Sequence, residues 1–172
     1  MTNDPGTNVP GTNDPGTEEG TDEMVSIRLI DFPIALSTLA GRHYEALQRE
    51  FALIHFSDEA TRASVPARLL EVADRTRQAL AAGEVISREQ FAASMERGDR
   101  AITVDLRIPR SAGTAMADLL TLLVEADDFC REGDLITIAM PDDCRAFREW
   151  FLNEFVRQIR GEPPTAWRGP FE

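Results

Sequence analysis

The sequence predicts an α/β domain: a small sheet of three or so strands with at least one parallel βαβ unit, and four to five helices. Three observations predict it. Apolar and polar residues alternate around positions 25–29 and 102–108, as in half-buried strands. Over longer stretches apolar residues recur at three- and four-residue intervals, as in helices with one buried face. Three times, at Phe32-Pro33, Ile108-Pro109 and Met140-Pro141, the chain reads strand, proline, helix.

Residues 1–23 precede the domain as TNDPG-TNVPG-TNDPG-TEEG-TDE, a degenerate five-residue repeat whose only large apolar residue after the first Met is Val9. Such a segment cannot offset the entropy of ordering itself, so a disordered acidic tail is expected. The domain, expected over 24–161, opens with a strand of Val25, Ile27 and Leu29 that Pro33 ends. Leu36, Leu39, Ala40, His43, Leu47, Phe51 and Ile54 then mark the inner face of a helix.

Ser64 is placed to cap a helix with Pro66 in its first turn, where a missing N–H costs nothing, and Gly83 to stop it. Ser87 and Gln90 form a capping box for a shorter helix ending at Gly98. Ile102, Val104, Leu106 and Ile108 make the second strand. A long helix from Ser111 follows, with Met116, Leu119, Leu120, Leu123, Ala126 and Cys130 on one face and Gly133 as its stop. Leu135–Met140 reads as a third, more uniformly apolar strand. Strand, helix and strand over 101–140 would then form a parallel βαβ unit with a right-handed crossover. The last helix carries Phe147, Trp150, Phe151, Phe155 and Ile159, and an extended tail of Pro163, Pro164 and Trp167 occupies 162–172.

Composition excludes more than any motif proves. The net charge is −12, and six acids among the first 23 residues supply half of it. An acidic domain repels phosphate backbones and anionic lipid, which speaks against nucleic acid and membranes as partners. All 18 basic residues are arginine. A lysine-free chain has no P-loop lysine and no Schiff-base lysine, and Arg cannot replace the latter because it stays protonated. Two cysteines make no disulfide framework, and neither a signal peptide nor an apolar run of spanning length is visible. A cytoplasmic location is the expectation.

No CxxC, GxSxG or glycine-rich phosphate loop is present, so no cofactor and no metal site are expected. His43 and His55 lie roughly 18 Å apart along one helical pattern and cannot share an ion. The candidates for chemistry sit at strand–helix junctions. Cys144 falls in the first turn of the last helix, where partial positive charge favours a thiolate, but Asp142 and Asp143 oppose this. With Arg110 and Ser111 they would converge at the carboxyl ends of neighbouring parallel strands, the usual pocket of such sheets. Cys130 reads as core.

The last helix and tail offer a different kind of site. Arg145, Arg148, Arg157 and Arg160 are spaced as on a shared flank, suited to clamp an anion or an acidic peptide. Pro163, Pro164 and Trp167 make a pre-stiffened segment with an aromatic anchor, suited to a protein partner or a second copy.

Phe147-Arg148-Glu149-Trp150-Phe151-Leu152-Asn153-Glu154-Phe155-Val156-Arg157-Gln158-Ile159, with Gly161 to Pro164 and Trp167 after it, resembles the C-terminus of small actinobacterial proteins that accompany anti-sigma, STAS-domain and phosphatase regulators. The stretch from Ile30-Asp31-Phe32-Pro33 to Arg49-Glu50-Phe51 is similar to theirs too. The resemblance spans most of 25–168, and no motif in it is diagnostic of an activity. Kinases of those systems need an Asn-bearing helix and a glycine-rich ATP lid. Here the asparagines are Asn3, Asn8, Asn13 and Asn153, and no such lid adjoins Asn153. The resemblance therefore implies a non-catalytic partner.

Two functions follow as expectations. The first is a non-catalytic regulatory or protein-interaction domain, binding a protein partner or itself through Arg157, Arg160, Pro163, Pro164 and Trp167. The alternative is a small enzyme or ligand-sensing domain using Arg110, Ser111, Asp142, Asp143 and Cys144. The first expects an exposed apolar patch at Trp167, the second a concave pocket at the junctions.

Overall fold

Alternation along Met24–Pro33 (β1) and Ala101–Pro109 (β2) puts Ile27, Leu29, Val104, Leu106 and Ile108 on one buried face. The computed structural model describes residues 23–55 and 88–171. The acidic repeat up to residue 22, the Ser64-to-Gly83 helix and Ser87 of the capping box lie outside them. Four helices are described: α1 (Ile34–His55), α2 (Arg88–Arg97), α3 (Ala112–Glu132) and α4 (Asp142–Ile159).

The sheet departs from expectation. β1 and β2 pair with each other, antiparallel, from Met24↔Pro109 to Leu29↔Val104. The register shifts between Leu29 and Phe32, where Asp31 takes a left-handed φ of 57°, a conformation short polar side chains tolerate better than most. Among the described residues there is no parallel βαβ unit and no third strand.

At the outer edge of β1 the place beside the strand is already taken. Arg28 gives its N–H to Gln158 Oε1 (2.8 Å) and takes the Gln158 amide on its carbonyl (2.8 Å). Ile30 carbonyl accepts from Trp167 N–H (3.0 Å). A helix side chain and the C-terminal tail thus fill the slot that a third strand beside β1 would need. Leu135–Met140 runs as an irregular extended loop instead, burying only Leu135 and Met140.

A two-stranded ribbon is marginal alone, so its stability depends on the helices. α4 packs on β1, α1 and α3. Phe147 is central: its ring meets Phe32 (5.4 Å) and Trp167 (5.9 Å) edge to face, and Trp150 lies 5.6 Å from Trp167. Across α3 and α4, Arg148 Nη2 donates to Asp127 Oδ2 at 2.6 Å, a pair 5% and 0% exposed. Gly133 (φ 85°) stops α3 as the sequence indicates.

Candidate functional site

The junction residues do not converge. Arg110 donates to Glu23 Oε2 (2.7 Å) and to the Ile159 carbonyl (2.8 Å), at the C-terminal end of α4. Asp142, Asp143 and Cys144 lie at the other end of that helix, roughly 20–25 Å away at about 1.5 Å per residue. Ser111 adjoins Arg110 at the start of α3 and makes no side-chain capping bond there. Antiparallel pairing and the missing third strand explain the separation, since parallel neighbours are what would bring both junctions to one edge.

Nor is Cys144 activated. It is buried, and burial together with the Asp143 charge pushes its thiol up from the ordinary value. Burial, Asp127 and Glu50 push Cys130 up to about 11. Both cysteines are free thiols, and groups so shifted are poor nucleophiles at neutral pH.

The arginines of α4 do not share a flank. Arg145 pairs with Asp142 on the surface, while Arg148 is buried against Asp127. Arg157 clamps its own chain: Nε donates to Glu162 (2.9 Å), Nη1 to Thr165 Oγ1 (3.0 Å) and Nη2 to the Pro163 carbonyl (3.2 Å). Arg160 and both prolines are exposed. Trp167, 7% exposed, sits in the core, its indole N–H donating to the Pro170 carbonyl (2.8 Å). A Cβ at Gly169 would come within 2.2 Å of that ring, so only glycine fits.

Spacing offers Glu154 only as a neutralising neighbour of the α4 arginines, which it is for Arg157, but it also organises this docking. It is buried beneath the tail and accepts from Thr165 N–H (3.0 Å), the Thr165 hydroxyl, Gln158 Nε2 (2.9 Å) and Arg157. Burial pushes its carboxyl up, but the Thr165 and Gln158 bonds and the Arg157 charge outweigh this and hold it below the usual range.

The feature that stands out chemically is the α3–α4 loop. Ile136 and Ile138 are 92% and 84% exposed, the two most exposed large apolar side chains of the described residues. The loop is held from α1. The Glu50 carboxylate accepts from Ile136 N–H, Thr137 N–H (2.8 Å) and the Thr137 hydroxyl (2.6 Å). His43 Nε2 bonds the Ile138 carbonyl (2.9 Å), and Leu135 and Met140 anchor the ends in the core. Three donors on one carboxylate make charge-assisted bonds of the strong kind. The backbone is fixed so that both isoleucines point outward.

Behind the loop lies an apolar cavity of about 230 Å³ between α1, α3 and α4, with His43 and Met140 in its wall beside Phe32, Leu123, Arg148 and Phe151. None of Arg110, Ser111, Asp142, Asp143 and Cys144 lines it. Among the described residues no cluster of His, Cys, Asp and Glu could hold a metal, and no helix is long and apolar enough to cross a membrane.

No family model, curated protein or solved structure matches this chain.

Proposed function

We propose that this domain is a non-catalytic protein-interaction module, regulatory in role, whose contact surface is the α3–α4 loop. The observation that carries this reading is the outward display of Ile136 and Ile138 on a backbone fixed by Glu50 and His43. Exposed apolar side chains are ordinary one at a time. Two, alternating along a segment whose amides are already bonded, present a ridge with its ordering cost met before binding. Such a ridge suits an apolar groove on a protein partner.

Other observations support it. The junction residues are scattered and Cys144 is buried with a raised pKa, which leaves the enzyme alternative without a nucleophile in a cleft. The net charge of −12 disfavours nucleic acid. The resemblance of 30–51 and 147–167 to companions of anti-sigma and STAS-domain regulators points to the same kind of role, within a bacterial cytoplasm.

The contact is assigned to the loop rather than to Trp167, because the tail is already engaged by its own domain. The test compares wild type with Ile136→Ser/Ile138→Ser in the native host, reading the size of the complex by light scattering after purification. A complex or self-assembly lost in the variant, with an unchanged unfolding curve, is expected. An assembly unchanged in the variant, or a chain monomeric in both forms, contradicts the proposal.

A further inference from the structure

The two edges of the ribbon are treated differently. On β1, the Arg28 N–H and carbonyl meet Gln158, and the Ile30 carbonyl accepts from Trp167 N–H. Those bonds also fix which groups of β2 are left over. Arg28 directs both main-chain groups away from β2, so Arg28 and the opposite Asp105 form a non-hydrogen-bonded pair of the antiparallel ladder. Asp105 therefore directs its own N–H and carbonyl away from β1, to the outer edge of β2. By alternation Thr103 and Arg107 do the same. Among the described residues no strand pairs with this edge and no main-chain group bonds to it. Such an edge is a template for a further strand.

We propose that the occupant is β2 of a second copy of this chain, antiparallel across a two-fold axis at Leu106, so that two ribbons join into one four-stranded sheet. Charge selects both the copy and the register. The exposed face of β2 carries Thr103, Asp105 and Arg107. With Leu106 opposite itself, Asp105 of each copy faces Arg107 of the other, and the strand is its own electrostatic complement. Moving the axis to Asp105 or to Arg107 sets like charges face to face, which is destabilising. An acidic chain resists self-association, so a self-fitting charge pattern at the contact is what decides.

The backbone fits the same register. Asp105 exchanges both main-chain bonds with Arg107 of the second copy. Thr103 N–H reaches the carbonyl of Pro109, whose missing N–H falls at the strand end, where a sheet tolerates it. Val104, Leu106 and Ile108 of both copies continue one apolar face, and four strands are stable where two are marginal. These side chains are already buried within each copy, so the association is weak, with a dissociation constant of about 100 µM.

The experiment is sedimentation velocity on the full chain from about 10 µM to about 1 mM. A dimer forming over that range is expected. Arg107→Asp and Asp105→Arg each set like charges opposite one another and are expected to weaken it about tenfold. Mixed in equal amounts, the two variants face opposite charges at both positions, and their mixed dimer is expected to regain wild-type strength. Arg107→Pro removes an N–H that points away from β1 and is expected to weaken the dimer about tenfold or more. Ile136→Ser/Ile138→Ser, which releases whatever the loop holds, is expected to remain a dimer, so this proposal and the loop proposal fail separately. A chain monomeric at about 1 mM, a dimer indifferent to Arg107→Pro, a mixture no stronger than either variant alone, or a dimer lost in the loop variant would overturn the proposal.

Discussion

Two extended segments flank α4, and they use their apolar side chains in opposite ways. The tail, residues 162–171, sends Trp167 into the core, and its backbone is taken up by Ile30, Glu154 and Arg157. The α3–α4 loop is held as firmly, by Glu50 and His43, yet points Ile136 and Ile138 at solvent. Ordering serves burial in the first and display in the second. A proline-stiffened segment ending in tryptophan is therefore no sufficient sign of a docking arm: what matters is whether a partner for it exists within the same chain.

The contrast breaks most visibly at the tail. Trp167→Ala should cost about 3–5 kcal/mol in urea unfolding, because it empties a site shared with Phe147 and Trp150. A loss under about 1 kcal/mol, within the scatter of surface substitutions, would mean that the indole is not core. The loop should respond less. Glu50→Gln removes the charge from three hydrogen bonds and should cost about 1–3 kcal/mol, with faster hydrogen exchange at the Ile136 and Thr137 amides. Unchanged exchange would show that Leu135 and Met140 alone fix the loop.

Acid should sharpen the comparison further. Glu154 has a lowered pKa in the folded chain, so its stabilising effect is complete above the unfolded value of about 4.3 and is lost as pH falls through the lower folded value. The tail should loosen in that window, seen as a change in tryptophan fluorescence that Glu154→Gln blunts. The same acid-induced change in the variant would point to another group.

Much of the fold is legible from residues alone. Alternation finds β1 and β2, helical spacing finds α1, α3 and α4, and Gly133 ends α3 where expected. That Leu135–Met140 forms a loop rather than the expected third strand is not legible. Leu-Ile-Thr-Ile-Ala-Met has the composition of a buried strand, and nothing local says that Gln158 and Trp167 already occupy the edge of β1. Such long-range occupation of backbone groups is invisible to local pattern. The proposed interaction surface is hidden for the same reason, since an apolar run reads as core until its neighbours are known. One signal was present: Glu50 lies among Leu47, Phe51 and Ile54 on the inner face of α1, and a carboxylate there needs donors from elsewhere. Leu39, counted on the same face, is instead exposed.

The smallest expected effect on folding belongs to the residues of greatest functional interest. Ile136→Ser/Ile138→Ser should shift stability by no more than about 0.5 kcal/mol, because neither side chain is packed. A larger loss would make the ridge structural.

Whether the loop meets a partner can be read with a photo-crosslinking amino acid placed in living cells at Ile136 or Ile138, with exposed Thr121 on α3 as the control. A discrete adduct with one protein at both loop positions, absent at 121, is the predicted result. Equal labelling at all three positions, or none at the loop, would contradict it.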